Sequence, residues 1–387
     1  MSCLPVRHQP GPRLGGIGLS GAVPFVSPKG VRPLAEAIQF RVFAVTGTRV
    51  TPGVFGLAQR VADRLFRSFL SGVAEPMDTW EWICSMPSRR RKELVRVWRK
   101  YQERGLEPSH KYDRIQAFVK NEKLPYLGVK GGEYDASYAE YVARLIQAPH
   151  DETHLDAGRY LKPLVKRLKR DWSWDNWLFY ASVAPSTLDH WLQKHHDAAS
   201  WFWADYSAFD ATYSPGAWQL IESFYARLYP DADPRFWRAL DVWRTPNGDC
   251  RLRKDEARIR YQAAPMNASG RDDTALANAL FNGIALALSI AAAIAQKDVM
   301  DLEDHDIERM KQVVNIAVVG DDSLVALSLD VEPIADAIVA NLGKFGLSVK
   351  SQFSRDLVDV TFLAMMPYPV AGTYYWGPTL GRRLYKA

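Results

Sequence analysis

The stretch Val313 to Leu327, VVNIAVVGDDSLVAL, constrains this chain more than any other. β-Branched Val and Ile precede Gly-Asp-Asp, and Leu, Val and Leu follow it, a pattern that suits two short strands paired in a hairpin. The pairing sets Asp321 and Asp322 at the tip. Adjacent carboxylates repel and are costly to desolvate unpaired, so a buried tip needs a cation. A hard divalent ion, Mg²⁺ or Mn²⁺, fits, because it takes one or two protein carboxylates and fills its shell with water and phosphate. A solvated Gly-Asp turn is the alternative, and the hairpin alone leaves it open.

The surrounding chain narrows the classes. With 387 residues, 47% hydrophobic and 24% charged, it is a globular chain of two or three structural units, which excludes a disordered or fibrous one. A net charge of +5 permits a polyanionic partner. Cys3, Cys84 and Cys250 are too scattered for a disulfide framework or a Cys-rich zinc site, so a reducing, intracellular setting is expected. No apolar core follows the first charges, so no signal peptide is expected. Thr274 to Ala295 is uncharged over 22 residues, long enough to span a bilayer. Its apolar content is mostly Ala, interrupted by Asn278, Asn282, Gly283 and Ser289, and it reads as a helix buried in protein, with no transmembrane span.

In chain order, residues 1–34 are rich in Pro and Gly without period, an extended arm. Leu57 to Phe69 repeats apolar residues every four positions and reads as an amphipathic helix. So does SRRRKELVRVWRKYQERG, whose many cations are a solvated face or a nucleic-acid contact. Between 115 and 170, Lys120, Lys123 and Arg144 lie in or beside apolar stretches, where a cation needs an anion such as phosphate. His150 and His154 do not reproduce a zinc-binding pattern. Trp201 to Ala204 is strand-like and delivers Asp205, and Ser214-Pro215 starts a helix. Asn247-Gly248 signals a turn within a hairpin excursion over 231–262. A helix opens at Pro333 and closes near Gly346, and Leu347 to Lys350 and Val358 to Leu363 offer closing strands. The elements add up to an α+β fold, a small antiparallel sheet backed by helices on one face.

The chemistry lies in WADYSAFDATYSP and in Ser269-Gly270-x-x-x-Thr274-x-x-x-Asn278. Asp205 ends its strand and Asp210 lies five residues on. If the Asp205 strand neighbours the hairpin, Asp205 and Asp321 can share two metals roughly 3.5–4 Å apart, as in-line phosphoryl transfer requires. Ser269-Gly270 forms a flexible loop, and Thr274 and Asn278 share one helix face. Helix packing alone would not put these residues in order between the two Asp sites.

In that order, with a Gly-Leu-x-x-Lys stretch and VTFLAMM behind, residues 115–366 resemble the RNA-dependent RNA polymerases of positive-strand RNA viruses. FVKNEK, ARLIQAP and GRYLKPL look most like tombusvirus and nodavirus-like members. The resemblance implies a right-hand polymerase: fingers over 35–199, palm over 200–230 and 263–366 with a small antiparallel RRM-like sheet, a fingers insertion over 231–262, and a short or missing thumb over 367–387. It implies that Asp205, Asp321 and Asp322 serve Mg²⁺ or Mn²⁺. Asp210 and Asn278, with Ser269, Gly270 and Thr274 beside them, would recognise the ribose 2′-hydroxyl. Lys120, Lys123 and Arg144 would hold the triphosphate of the incoming ribonucleotide, and Lys350, or alternatively Arg355, would protonate pyrophosphate. The partners implied are RNA template and product, in the host-cell cytoplasm or at membrane replication complexes.

Two departures from the family pattern stand out. Pro149-His150 replaces a second Arg that relatives often carry. About twenty residues follow VTFLAMMPYP, fewer than a domain needs, so a minimal thumb or a protein partner is expected to complete the channel. The tail YYWGPTLGRRLYKA is basic and aromatic, suited to gripping RNA. The alternatives are a reverse transcriptase, which usually has a bulky gate at the Asp210 position and an aromatic before the Asp pair, or a non-enzymatic RNA-binding protein. The latter leaves the ordered carboxylates unexplained.

Overall fold

The computed structural model describes residues 25–26, 30–44, 49–121, 123–124, 143–252 and 256–379, without the side chains of 25, 26, 68, 123 and 124. Most of the expected arm and the basic tail from residue 380 onward lie outside the described residues. The arm is not extended to its end, since a helix, Val31–Ile38, begins inside it.

Alternating apolar strands build the central sheet. Its order is Val349–Ser354, Ser200–Tyr206, Asp322–Leu327, Val314–Val319, Leu178–Tyr180. All neighbours are antiparallel except the last pair. The expected hairpin is present, with Val319 paired to Asp322 and Gly320-Asp321 as its two-residue turn. Gly320 has φ +60 at the first turn position, a conformation in which any other residue is strained. Leu178–Tyr180 carries the sheet across the sequence boundary expected at residue 199.

A period of two sorts the side chains onto two faces. Phe202, Ala204, Tyr206, Ile316, Val318, Val325 and Leu327 join a large core built on the helix Thr274–Ala295. Trp201, Ala317, Leu324 and Ala326 face the other way, against Leu188, Trp191 and Leu192 of the helix Pro185–His195. The sheet is therefore covered on both faces over part of its area, where the sequence suggested one. Eighteen of the 22 residues of Thr274–Ala295 are buried inside the protein, which explains an apolar helix without calling on a bilayer.

A second sheet runs Leu145–Pro149, Ile115–Val119, Asn247–Leu252, Ala257–Gln262. Asn247-Gly248 is not its turn. Both residues lie inside a strand, where Gly248 pairs with Tyr261, and a Cβ at Gly248 would come within 2.0 Å of the Tyr261 ring. The glycine serves close approach rather than chain reversal. Other expectations need adjustment too. The helix read over Leu57–Phe69 is two, Val54–Leu65 and Arg67–Leu70. The strand read over Val358–Leu363 is a short 3₁₀ turn and loop, and the strand that follows, Met365–Val370, pairs with Thr373–Pro378. That hairpin is fastened to the helix Pro185–His195 by the backbone N–H of Trp376 donating to Asp189, 2.8 Å.

Candidate active site

Register fixes the first half of the site. Lys350 pairs directly with Asp205, and Ser323 pairs with Ala204, so one step further along Asp322 comes opposite Asp205. Lys350, Asp205 and Asp322 thus form a row across three neighbouring strands, on one face, with Cβ atoms about 5 Å apart from strand to strand. All three are exposed, as is Asp321 in the adjoining turn. Asp205 makes no side-chain hydrogen bond or ion pair among the described residues. Although Asp321 opens to solvent on one side, the protein around its carboxyl desolvates it and pushes it above the usual carboxylate range; the negative charge of Asp205 adds to that, and Arg144 opposes it. Three carboxylates, partly desolvated, with Lys350 and Arg144 beside them, are a donor set that a hard divalent ion would fit. Their oxygens do not converge to within 4.8 Å of one another; among the described residues only the group Glu303, His305 and Asp306 is that tight.

The second half adjoins the first through Asp321 and Asp322. A cavity of about 350 Å³ is lined by Arg41, Arg144, Gln147, Tyr206, Asp210, Ser269, Asp321 and Asp322, among others. Asp210 stands in the 3₁₀ turn Phe209–Ala211. Its Oδ1 accepts a hydrogen bond from Asn278 Nδ2, 2.7 Å. Burial lifts its pKa to about 6, against the effect of the Asn278 bond. Asn278 is itself saturated on the acceptor side, since its Oδ1 takes bonds from Tyr213 and Asn267, 3.0 and 2.6 Å. It is 4% exposed and does not line the cavity, so its part is to hold Asp210. The second oxygen of Asp210 carries no bond among the described residues, leaving an acceptor for a ligand hydroxyl.

Backbone contacts bring the basic side in. Lys120 N–H donates to the Arg144 carbonyl, 2.8 Å, which sets Lys120 and Arg144 side by side at one end of the second sheet. Gln147 N–H donates to the Ser269 carbonyl, 2.6 Å. Gly270, at φ +124, lies so close that a Cβ would stand 2.7 Å from the Gln147 carbonyl oxygen. Only glycine lets this loop dock on the strand that follows Arg144. Thr274 does not reach Asp210; its hydroxyl faces the Ala268 and Arg271 carbonyls at 3.0 and 3.3 Å and ties down the loop. The Lys123 side chain lies outside the described residues. Arg355 belongs elsewhere: it bonds Asp330 and Glu332, both at 2.6 Å, roughly 17 Å along the strand from Lys350 at 3.4 Å per residue.

Four residues that the motifs did not single out line the site or support the elements around it. Arg41, from a π-helical turn over Gln39–Phe43, lines the cavity. Arg271 and Asp273 form a fully buried bidentate pair, 2.8 Å in both arms, with the guanidinium 4.2 Å above the Trp218 ring. Asn282, read from sequence only as a break in an apolar run, bonds the hairpin turn. The signal for Asn282 was its spacing, four residues after Asn278 on the same helix face.

No curated protein matches the chain. Residues 180–367, just under half of the chain and the part carrying Asp205, Asp210, Ser269 to Asn278, and Asp321-Asp322, match the family model of viral RNA-dependent RNA polymerases.

Proposed function

We propose that this protein is a template-directed RNA polymerase that copies a viral RNA genome from ribonucleoside triphosphates. The observation that carries the reading is the row Lys350, Asp205, Asp322 across the sheet, together with the cavity in which Asp321 and Asp322 meet Asp210, itself held by Asn278. Phosphoryl transfer with sugar selection needs these two groups together, and a solvated Gly-Asp turn needs neither. The family match supports the reaction class; the two-metal mechanism rests on the carboxylates.

Asp205, Asp321 and Asp322 would hold Mg²⁺ or Mn²⁺, which when bound would supply activation of a 3′-hydroxyl and charge neutralisation for pyrophosphate. Lys350 would protonate the leaving group, a role its register with Asp205 supports. The spare oxygen of Asp210 accepts from the ribose 2′-hydroxyl, an acceptor that a deoxyribonucleotide leaves unpaired. Arg144 in the cavity and Lys120 beside it supply the charge that a triphosphate requires. In this reading the second sheet belongs to the fingers and the central sheet to the palm. Kinship with tombusvirus and nodavirus-like polymerases rests on FVKNEK, ARLIQAP and GRYLKPL, all before residue 180 and outside the matched stretch.

The test is incorporation of labelled ribo- and deoxyribonucleotides on an RNA template with Mg²⁺ or Mn²⁺, beside Asp205→Ala. Metal-dependent ribonucleotide incorporation that vanishes in the variant is the expected result. Incorporation that survives the substitution, or absence of any incorporation by the parent, would overturn the reading.

A further inference from the structure

Asn282 is a fully buried amide in the middle of an apolar helix, and every polar group on it is spent on the catalytic hairpin and the strand beside it. Its Nδ2 donates to the carbonyls of Asp321, 3.0 Å, and Gly320, 3.3 Å. Its Oδ1 accepts from the Tyr206 hydroxyl, 2.7 Å. Those carbonyls belong to the two turn residues, and Tyr206 follows Asp205 on its strand. One side chain therefore holds the chain on both sides of the carboxylate cluster. One helical turn earlier, Asn278 grips Asp210 in the same manner. A helix-stabilising role would not require this arrangement, because Ala or Leu suits a helix interior better and avoids burying an amide.

We propose that Asn282 is a positioning residue for nucleotide addition: it locks the Gly320-Asp321 turn to the helix that also carries Asn278, fixing the metal-bearing carboxylates relative to the sugar-selecting Asp210. The inference rests on the polymerase reading above. The turn needs such a lock because its carboxylates repel one another and the Gly320 backbone is free to rotate. Hydrogen-bonded supports behind metal-binding carboxylates typically affect metal affinity or turnover by roughly 10- to 100-fold.

The experiment measures kcat and KM for nucleotide, and the Mg²⁺ concentration giving half-maximal rate, in Asn282→Leu, Tyr206→Phe and the double variant. Ser289→Ala, which alters another buried polar group on the same helix away from the site, controls for changed helix packing. Asn282→Leu should lower kcat by roughly 10- to 100-fold with KM within about threefold, and should raise the Mg²⁺ requirement. Tyr206→Phe should give a smaller loss of the same kind. The double variant should be no worse than Asn282→Leu, because both substitutions break one network. Parental kcat and Mg²⁺ dependence in Asn282→Leu, losses no different from Ser289→Ala, or multiplicative losses in the double variant would overturn the proposal. If Asn282→Leu does not fold, Tyr206→Phe decides alone, and a parental kcat and Mg²⁺ requirement refute it. An active Asp205→Ala would instead refute the polymerase reading itself, so the two failures are separable.

Discussion

The protein treats two sets of carboxylates in opposite ways. Asp273 is closed: it is fully buried, takes two bonds from Arg271 and a third from Tyr225 at 3.2 Å. Asp156 is closed by burial, 6% exposed and away from the cavity, with the hydroxyls of Tyr101 and Tyr112 both on its Oδ2 at 2.9 and 2.7 Å. Asp205 and Asp321 are open, set against each other at the end of an exposed row with Arg144 as the opposing charge. Asp210 stands between, one oxygen held and one spare. Where the chain finishes its own electrostatics, the group supports the fold. Where it leaves them unfinished, a ligand from outside is expected to complete them.

The largest effect should come from the open set. Asp321→Ala or Asp205→Ala should reduce nucleotide addition by about 1,000-fold or more, since each removes a metal ligand, while the melting temperature holds or rises as like-charge repulsion is relieved. Activity within about tenfold of the parent would break the distinction at its open end. The closed end breaks if Arg271→Met is tolerated. Leaving Asp273 buried without its partner should cost about 3–5 kcal/mol in a denaturant titration.

Asp156 tests the closed set through pH. Burial raises its pKa to about 6 in the folded protein, above its unfolded value. The native state then binds the extra proton between about pH 4 and 6, so the contribution of Asp156 is full at low pH and is lost as pH rises through 6. Asp156→Asn keeps an acceptor for both tyrosines without the charge. It should flatten the stability profile over that range and gain on the order of 2 kcal/mol at pH 7. An unchanged slope would mean that the charge is compensated by groups other than the two tyrosines. The smallest effect belongs to the intermediate case. Asp210→Ala or Asn278→Ala should relax the preference for ribo- over deoxyribonucleotides by about tenfold, read from kcat/KM ratios. An equal loss for both sugars would move Asp210 out of the selecting role.

Legibility of the fold and site in the sequence followed the range of the interaction. The hairpin at Asp321 was readable because strand period and turn residue are local, and Ser214 capping the helix Pro215–Leu228 was readable for the same reason. The strand Leu178–Tyr180 was not, because three residues give no period and its partner, Val314–Val319, lies far along the chain. Asn247-Gly248 misled because a glycine required by a ring laid over it looks identical to one required by a turn. Asp210 and Asn278 were found by motif, yet their division of labour, one facing the cavity and the other holding it, needed the hydrogen bonds. Arg41 carried no motif at all.

The strand order of the central sheet also has a temporal side. Among the described residues, the strand bearing Asp205 is paired with Asp322–Leu327 on one edge and Val349–Ser354 on the other, both well over a hundred residues downstream. At ribosomal speeds of roughly 5–20 residues per second, that strand waits about 7 to 30 s before Lys350 exists to pair with it. Until Leu327 is made both of its edges are unsatisfied, and one stays so until the last strand follows; Trp201, Phe202 and Trp203 lie in this segment. Such a segment invites pairing with other nascent chains. A bound chaperone that covers this segment should therefore raise the yield of folded protein more than any substitution in the cleft, because it shields the strand during the delay before the last strands arrive.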